Sequence, residues 1–539
     1  MKKIFTILLS GMLAAGLILP LAGCGENLPE DAVVVYVEYN GMTGKEDDKV
    51  KEALEKKFEE DTGESITLVV RPYSTSDLGD NVNHAFDAHE RLDAFVTHYS
   101  SDSFLTPMMT GEKQLKDLTN LLPEYAPDYL KKFNETNDPG ALAYNKGKVN
   151  GKIYAMSSLE HTSIFGMLVN KSHMAFTDFD PDEYDIANEG YKSLTISEFT
   201  TMLEQMKNRP GRDGLDRPLG GAPYDIEYFL GPVFGSTGYI RNELIDGKLY
   251  PSWATKGYRD LLEYERTLQE KNLWTDNPLN SANKVNSDFF AGYSSVYAPF
   301  PEVTQMINAA RRLKNATGDD CIMLAPLRAD NEAESKGNAR HERAFLGLVV
   351  PKEGKNTELL LKYVNWLNKK ENYELAKYGI EGTHWEKATL ENGAEGYIFP
   401  DAQRAEYEEN APYSGIYCLL TDVSLSDRTY AGYTDAQQTW VREVHGFKSY
   451  PEYGYDDEGV NMPSIPTQNR TLRLVETNMN REFVGVRVYA WTTLDTNGKS
   501  ITDRHSELVA KLENGGEYSA YITFITDEYN KIKQSFQTK

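Results

Sequence analysis

Residues able to do chemistry are plentiful in this chain, and their spacing limits what that chemistry is. His-Glu-x-x-His, which sets two imidazoles and a base around zinc, is absent: His89-Glu90 and His341-Glu342 lack the second His. Gly-x-Ser-x-Gly and a phosphate loop are absent too. Gly354-Lys355-Asn356 has neither the leading Gly at the required distance nor a Ser or Thr after the Lys. With 82 acidic residues, one enzymatic class stays standing. A glycosidase matches its two carboxylates in space rather than in sequence, so no spacing rules it out. One metal-like spacing occurs: Asp178, Asp180 and Asp182, with Glu189 at the twelfth place, match the carboxylate positions of a calcium loop. Glu183 stands where that loop's sharp turn needs Gly, and Pro181 interrupts it. A solvated acidic loop is the main reading and calcium the lesser one; no cofactor is expected.

The other pattern is aromatic and polar residues just past strand-like runs. A sugar ring has a flat C–H face that an aromatic plane covers, and an edge of hydroxyls that carboxylates, amides and Arg fix. In open α/β sheets the crevice lies outside the carboxyl ends of the strands. That rule selects Tyr39 and Asn40 after a first strand, and His98 and Tyr99 after a third. Tyr297 and Phe300 end a later strand before Pro301. Trp253, Trp274 and Trp366 lie within or beside amphipathic helices and are assigned to packing. Trp440, beside Thr439 and Gln437, is a cleft candidate; Trp491 is assigned to neither.

These residues need elements to hold them. Ala32–Tyr39 is β-branched and aromatic, hence a buried strand. Val50, Ala53, Leu54 and Phe58 make a helix over Asp47–Glu60, and a second strand follows at Ile66–Val70. Strand, helix and strand in this length require a crossover, so the strands are parallel. Leu92–Thr97 is the next strand. Phe345–Val350, stopped by Pro351, precedes Asn356 and Thr357, which offer N-cap chemistry. Leu359, Leu360, Tyr363, Val364 and Leu367 then form one buried helix face, and a shorter helix ends at Gly379. Lys152–Met156, Phe165–Val169, Ser294–Ala298 and Phe483–Trp491 are expected as strands. Helices are expected from Ser197 to Lys207, Gly257 to Glu270 and Asp527 to Phe536, and Asn272 tolerates the left-handed exit from the second. Residues 400–480 carry the weakest pattern.

The ends and the bulk add constraints. A formal charge of −25 argues against nucleic acid and against an anionic membrane surface. Lys2 and Lys3 precede an apolar run, Ile4–Leu19, and then Leu21-Ala22-Gly23-Cys24, the layout of a secretory signal. The run is short for a bilayer span and broken by Ser10, Gly11 and Gly16. Leu-Ala-Gly-Cys resembles a bacterial lipobox, which implies cleavage before Cys24 and acylation of its thiol, with palmitate as an expected modification. Two or more chains anchor stably. Cys321 and Cys418 are too few for a disulfide framework, and a single bridge between them stays open.

The order "strand, Pro-Lys, helix with Tyr-x-x-x-Trp-Leu, then Tyr-Gly-Ile-Glu-Gly-x-His-Trp" resembles extracellular solute-binding protein family 1, the carbohydrate-binding lipoproteins of ABC importers. The earlier "Asn-Gly-Lys-Ile-Tyr-Ala … Leu-Val-Asn-Lys … Leu-Thr-Ile-Ser-Glu-Phe" is similar to the same family. The resemblance spans most of Ala32–Trp385. It implies an α/β, two-lobed type II periplasmic-binding-protein fold with an interlobe cleft and hinge crossovers. The lobes would be residues 32–160 plus 346–382 and residues 161–345 plus 383–539, after a signal at 1–23 and a tether at 24–31. Glu160 and His161 would sit in the first crossover, and Trp385 at or near another; all three join the ligand-binding candidates. The implied function is capture of a carbohydrate, an oligosaccharide for a chain of this size, and its delivery unaltered to a membrane permease. The protein would act as a monomer on the outer face of the bacterial membrane. The rivals are a tethered glycoside-active enzyme and a binding protein for a peptide or other polar solute.

Overall fold

The computed structural model describes residues 28–39, 43–98, 108, 114–135, 147–149, 152–159, 166–209, 217–236, 242–275, 282–298, 303–331, 346–391, 393–399, 412–422, 425, 429–446, 470–491 and 499–537. The expected signal segment and Cys24 lie outside them.

Two hydrophobic cores organise the chain, each around its own sheet. In the first sheet the strands stand in the order Thr67–Tyr73, Ala32–Glu38, Ala94–His98, Leu346–Val349 and Ala155–Ser157. The first three are parallel, with Val35 opposite both Val70 and Ala94; the last two alternate in direction. Ala32 to Val37 are all buried, as a central strand covered on both faces must be. The crossover helix Asp47–Thr62 buries Val50, Leu54 and Phe58 against this sheet and ends at Gly63, whose φ of +76° favours a residue without Cβ. Phe58 meets Trp366 edge-on, with centroids 5.6 Å apart.

Asn356 departs from expectation. Its side chain does not cap the helix Thr357–Trp366; its Nδ2 donates to the carbonyls of Glu30 and Ala32, both at 2.7 Å. Buried Asp93 instead accepts from the backbone N–H of Lys355 (2.8 Å), Asn356 (3.1 Å) and Val34 (2.9 Å).

The second sheet runs Cys321–Leu324, Met167–Asn170, Val296–Tyr297, Leu219–Gly220. Helices Ile196–Lys207, Lys256–Glu270 and Val303–Thr317 pack around it, and Trp253 and Trp274 are in its core as expected. Asn272 does take φ +54°. Phe483–Trp491 is not a strand: it lies within the helix Arg470–Trp491. The Val-rich run suggested β structure, but Val475, Met479, Phe483, Val486 and Ala490 recur at three and four residues and are the buried set, while Val484 is 47% exposed. With Ile501–Glu513 and Glu517–Gln537 this helix packs on Lys256–Glu270 and the hairpin that follows Asn242.

Residues 413–420, expected in the second lobe, belong to the first core. Asp47 draws them there: its carboxylate accepts from the Ser414 N–H (2.9 Å), the Ser414 hydroxyl (2.8 Å) and the Gly44 N–H (2.9 Å). Its place in a helix's first turn favours the charge. Among the described residues the chain changes core three times, after Leu159, before Leu346 and after Asp422. The described ends of these passages at the first core are bonded side by side. Ser158 N–H donates to Leu346 O (2.9 Å), Leu346 N–H to Ser158 Oγ (2.9 Å), and Leu159 N–H to Thr421 O (2.8 Å). Cys321 and Cys418 are both free thiols, one at each sheet.

Candidate functional site

A cavity of about 450 Å³ opens where the first sheet's parallel strands end, at Val37, Glu38, Tyr39 and Val96. Its other walls are Lys377, Tyr378, His384, Phe399 and the segment from Pro412 to Thr421. The volume lies within the range of small-molecule sites.

The polar groups on this wall are fixed by their neighbours. Glu38 Oε1 lies 2.5 Å from His98 Nδ1, and Oε2 accepts from the Thr97 hydroxyl (2.8 Å) and the His98 N–H (2.9 Å). Burial opposes its ionisation, but bonds from the His98 ring, the His98 amide and Thr75 prevail and bring the carboxyl to about 2. Glu38 is therefore a fixed anion that holds His98 behind the wall. The Tyr39 hydroxyl donates to Ser414 O (3.3 Å); burial, then the Asp47 charge, raise its pKa and keep it neutral. His384 has the opposite tautomer from one that donates through Nδ1. That nitrogen accepts from the Ile380 N–H at 2.9 Å, so Nε2 carries the proton and faces Glu46 at 3.2 Å. Burial lowers the His384 pKa against the pull of Glu46, which favours the neutral ring.

Beside these groups stands an aromatic cluster of Trp385, Phe399 and Tyr430, flanked by Tyr378, Tyr397 and Tyr433. Tyr378 stacks on Tyr397 at 5.0 Å between centroids. Trp385 supports it from behind: its ring is 1% exposed, and its Nε1 donates to Gly379 O at 2.9 Å. Gly379 has φ +85°, and a Cβ there would fall 2.8 Å from His384 Nδ1. The turn that carries both His384 and Trp385 therefore depends on it.

Of the residues selected from sequence, Tyr39 lines the cavity and His98 is bonded to its wall. Trp385 is a supporting residue rather than an open face. Trp440 is buried in the second core and donates to Asp185 Oδ1 at 2.8 Å, so it packs instead of facing a cleft. Tyr297 ends its strand as expected, but its ring stacks on Phe289 at 4.8 Å and its hydroxyl donates to Asn286. Burial, then the Asp225 charge, push its phenol up to about 12. Asn40, Tyr99, Glu160, His161 and Phe300 lie outside the described residues. Glu38, Lys377, Tyr378 and His384 were missed. Glu38 closes the first strand immediately before Tyr39, which was the available signal; Lys377 and Tyr378 end the helix Lys370–Tyr378 and His384 lies in the turn after it, and their approach to the strand ends is tertiary.

Three of the acidic loop's four carboxylates meet protein donors. Asp178 accepts from Gln205 (2.6 Å), Asp180 caps the short helix Pro181–Tyr184, and Asp182 pairs with Lys171 (2.6 Å). Among the described residues no three His, Cys, Asp or Glu side chains gather to hold a metal.

No family model matches the chain. It is 23% identical over 270 residues to the polygalacturonan/rhamnogalacturonan-binding protein YtcQ of Bacillus subtilis (strain 168), a match covering 48% of this chain and about half, 51%, of that relative. It is 22% identical over 386 residues to lipoprotein LipO of the same organism, covering 67% of this chain and 70% of LipO. Among solved structures, the N-glycan transport solute-binding protein NgtS of Streptococcus pneumoniae superposes with a TM-score of 0.64 at 16% identity, over 94% of this chain and 99% of NgtS. At that identity the likeness shows the fold: the chain has the two-lobed α/β fold of the solute-binding proteins.

Proposed function

We propose that this chain is the lipid-anchored, extracellular capture component of an ABC importer. It takes a carbohydrate between its lobes and passes it unaltered to a membrane permease. The observation that carries this reading is the cavity at the strand ends of the first sheet. Tyrosine rings and fixed polar groups wall it, and it abuts passages at Leu346 and Thr421 that connect the two cores. Rings cover the C–H faces of a sugar and polar groups bind its edge, while closure of the lobes over it is a hinge motion. YtcQ is named for binding galacturonan polymers and NgtS for transporting N-glycans, which supports a carbohydrate as the solute. Anchoring through Cys24, a monomeric state and a permease partner belong to the same proposal.

The test is a panel of mono- and oligosaccharides followed by differential scanning fluorimetry and by mass analysis of the recovered sugar. A raised Tm with the sugar intact is expected. Shorter sugars in the eluate would instead establish a glycoside-active enzyme.

A further inference from the structure

We propose that Asp225 is the hydroxyl acceptor of a subsite on the second lobe and selects a neutral sugar residue; this rests on the carbohydrate reading above. The strands Leu219–Gly220 and Val296–Tyr297 run parallel, with Gly220 opposite Tyr297, so both end at one edge of the second sheet. That edge corresponds to the one at which the first sheet carries its cavity, and it is where open α/β sheets receive ligands. After Gly220 the chain turns at once into the helix Pro223–Leu230, with Asp225 in its first turn. The turn is tight: a Cβ on Gly221 would fall 2.6 Å from Ile226 Cγ1, and Trp274 Nε1 holds the Gly221 carbonyl at 2.9 Å.

Two described polar groups in this stretch already have partners. The Tyr297 hydroxyl donates to Asn286, and Glu227, two residues along the helix, pairs with buried Arg487. Asp225 differs. It is half-buried, yet no hydrogen bond or ion pair joins it to a described residue. A carboxylate drawn partly out of water without donors is unfavourable until something supplies them. Vicinal hydroxyls of a sugar do so, whereas a uronate would bring a like charge to the same place. Burial alone pushes the Asp225 carboxyl up to about 6. Among the described residues, the titratable and charged groups tied to it are the Tyr297 phenol, which feels its charge, and the Arg312 guanidinium acting on that phenol; Glu227 on the same helix is paired with Arg487.

Since hydroxyls bind the ionised form better, affinity should rise with pH through about 6 and then level. Calorimetric titration with neutral gluco-, manno- and fructo-oligosaccharides and with an oligogalacturonate, from pH 5 to 8, tests this on the full chain and on Asp225→Asn. The expected result is a neutral oligosaccharide as the preferred probe, about tenfold weaker in Asp225→Asn, with the pH dependence flattened in the variant. Neutral binding unchanged in the variant, with its pH profile intact, would overturn the proposal, as would preference for the oligogalacturonate. Both leave the carbohydrate function standing. If no sugar in the panel binds, the carbohydrate reading itself fails and this subsite falls with it.

Discussion

Glu38 shows how one side chain can serve both the fold and the site. Its carboxyl is held at about 2, below an ordinary value of 4.5, by donors that outweigh burial. A depressed carboxylate contributes stability that is present above the ordinary value and is lost as pH falls towards the folded one. We expect Glu38→Gln to lose about 2–3 kcal/mol at pH 7 and much less near pH 2, measured by urea denaturation at both. The strand-end rule found Tyr39 and His98 but not this residue, because a Glu inside a β-branched run looks like an edge charge until its donors are seen. Trp385 was legible as important and not in its role. Aromaticity is visible in sequence; which face is covered is not. With 1% exposure, Trp385→Ala should destabilise by about 3–5 kcal/mol. Tyr378→Ala, whose ring lines the cavity, should retain more stability and lower sugar affinity; equal stability losses in the two variants would contradict this division.

At the scale of elements, local pattern and tertiary demand part company in a few identifiable places. The first sheet was readable because its strands are continuous apolar runs and its helices have single buried faces. The segment 412–422 was not, since it has no periodicity and is shaped by what it docks against. Asp47 is one tether, with three hydrogen bonds to Gly44 and Ser414. Asp47→Ala should free backbone donors at Gly44 and Ser414, speed hydrogen exchange across 413–420, and cost about 2–4 kcal/mol. If exchange there is unchanged, another contact holds the segment. The helix Arg470–Trp491 was misread for a related reason: β-branched valines hid a helical spacing of buried residues. It docks through a buried ionic cluster in which Arg487 pairs with Glu227, Tyr258 donates to Glu227 (3.0 Å), and Trp491 donates to Glu265 (2.7 Å). Arg487→Met would leave Glu227 buried without its cation, and a loss of about 3–5 kcal/mol is expected. Glu265 behaves oppositely to Glu38. Burial and the nearby Glu227 charge raise its pKa well above normal. The fold therefore keeps a proton that the unfolded chain releases, so stability falls as pH rises from the ordinary carboxylate value towards the folded one. Glu265→Gln, neutral at every pH, should flatten that decline in denaturation curves recorded from pH 5 to 9.

For the whole molecule, the decisive property is that the three passages between the cores found among the described residues have adjacent ends and that one of those ends continues into the cavity wall. Thr421 lines the cavity and accepts from Leu159, while Tyr373 accepts the Asp422 N–H at 2.8 Å. On the proposed function, a ligand that fills the cavity presses on the segment that leads from one core to the other, which gives binding a direct route to their relative orientation. A bound state favoured in this way shows both as compaction and as added stability. At a ligand concentration one hundred times Kd the gain is about 2.7 kcal/mol. With an unfolding entropy of about 2 cal/mol/K per residue, a chain of this length should gain roughly 2–3 °C in Tm. Small-angle scattering at the same concentration should show a smaller radius of gyration. Ser158 offers the internal control: 1% exposed, its hydroxyl accepts the Leu346 N–H within the passages and does not line the cavity. Ser158→Ala leaves that half-buried N–H without its acceptor, at a cost of about 1 kcal/mol. If the passages are the hinge, the variant should still bind sugar, but its radius should differ from that of the native chain before ligand is added. Identical scattering from both proteins, free and bound, would place the moving element elsewhere.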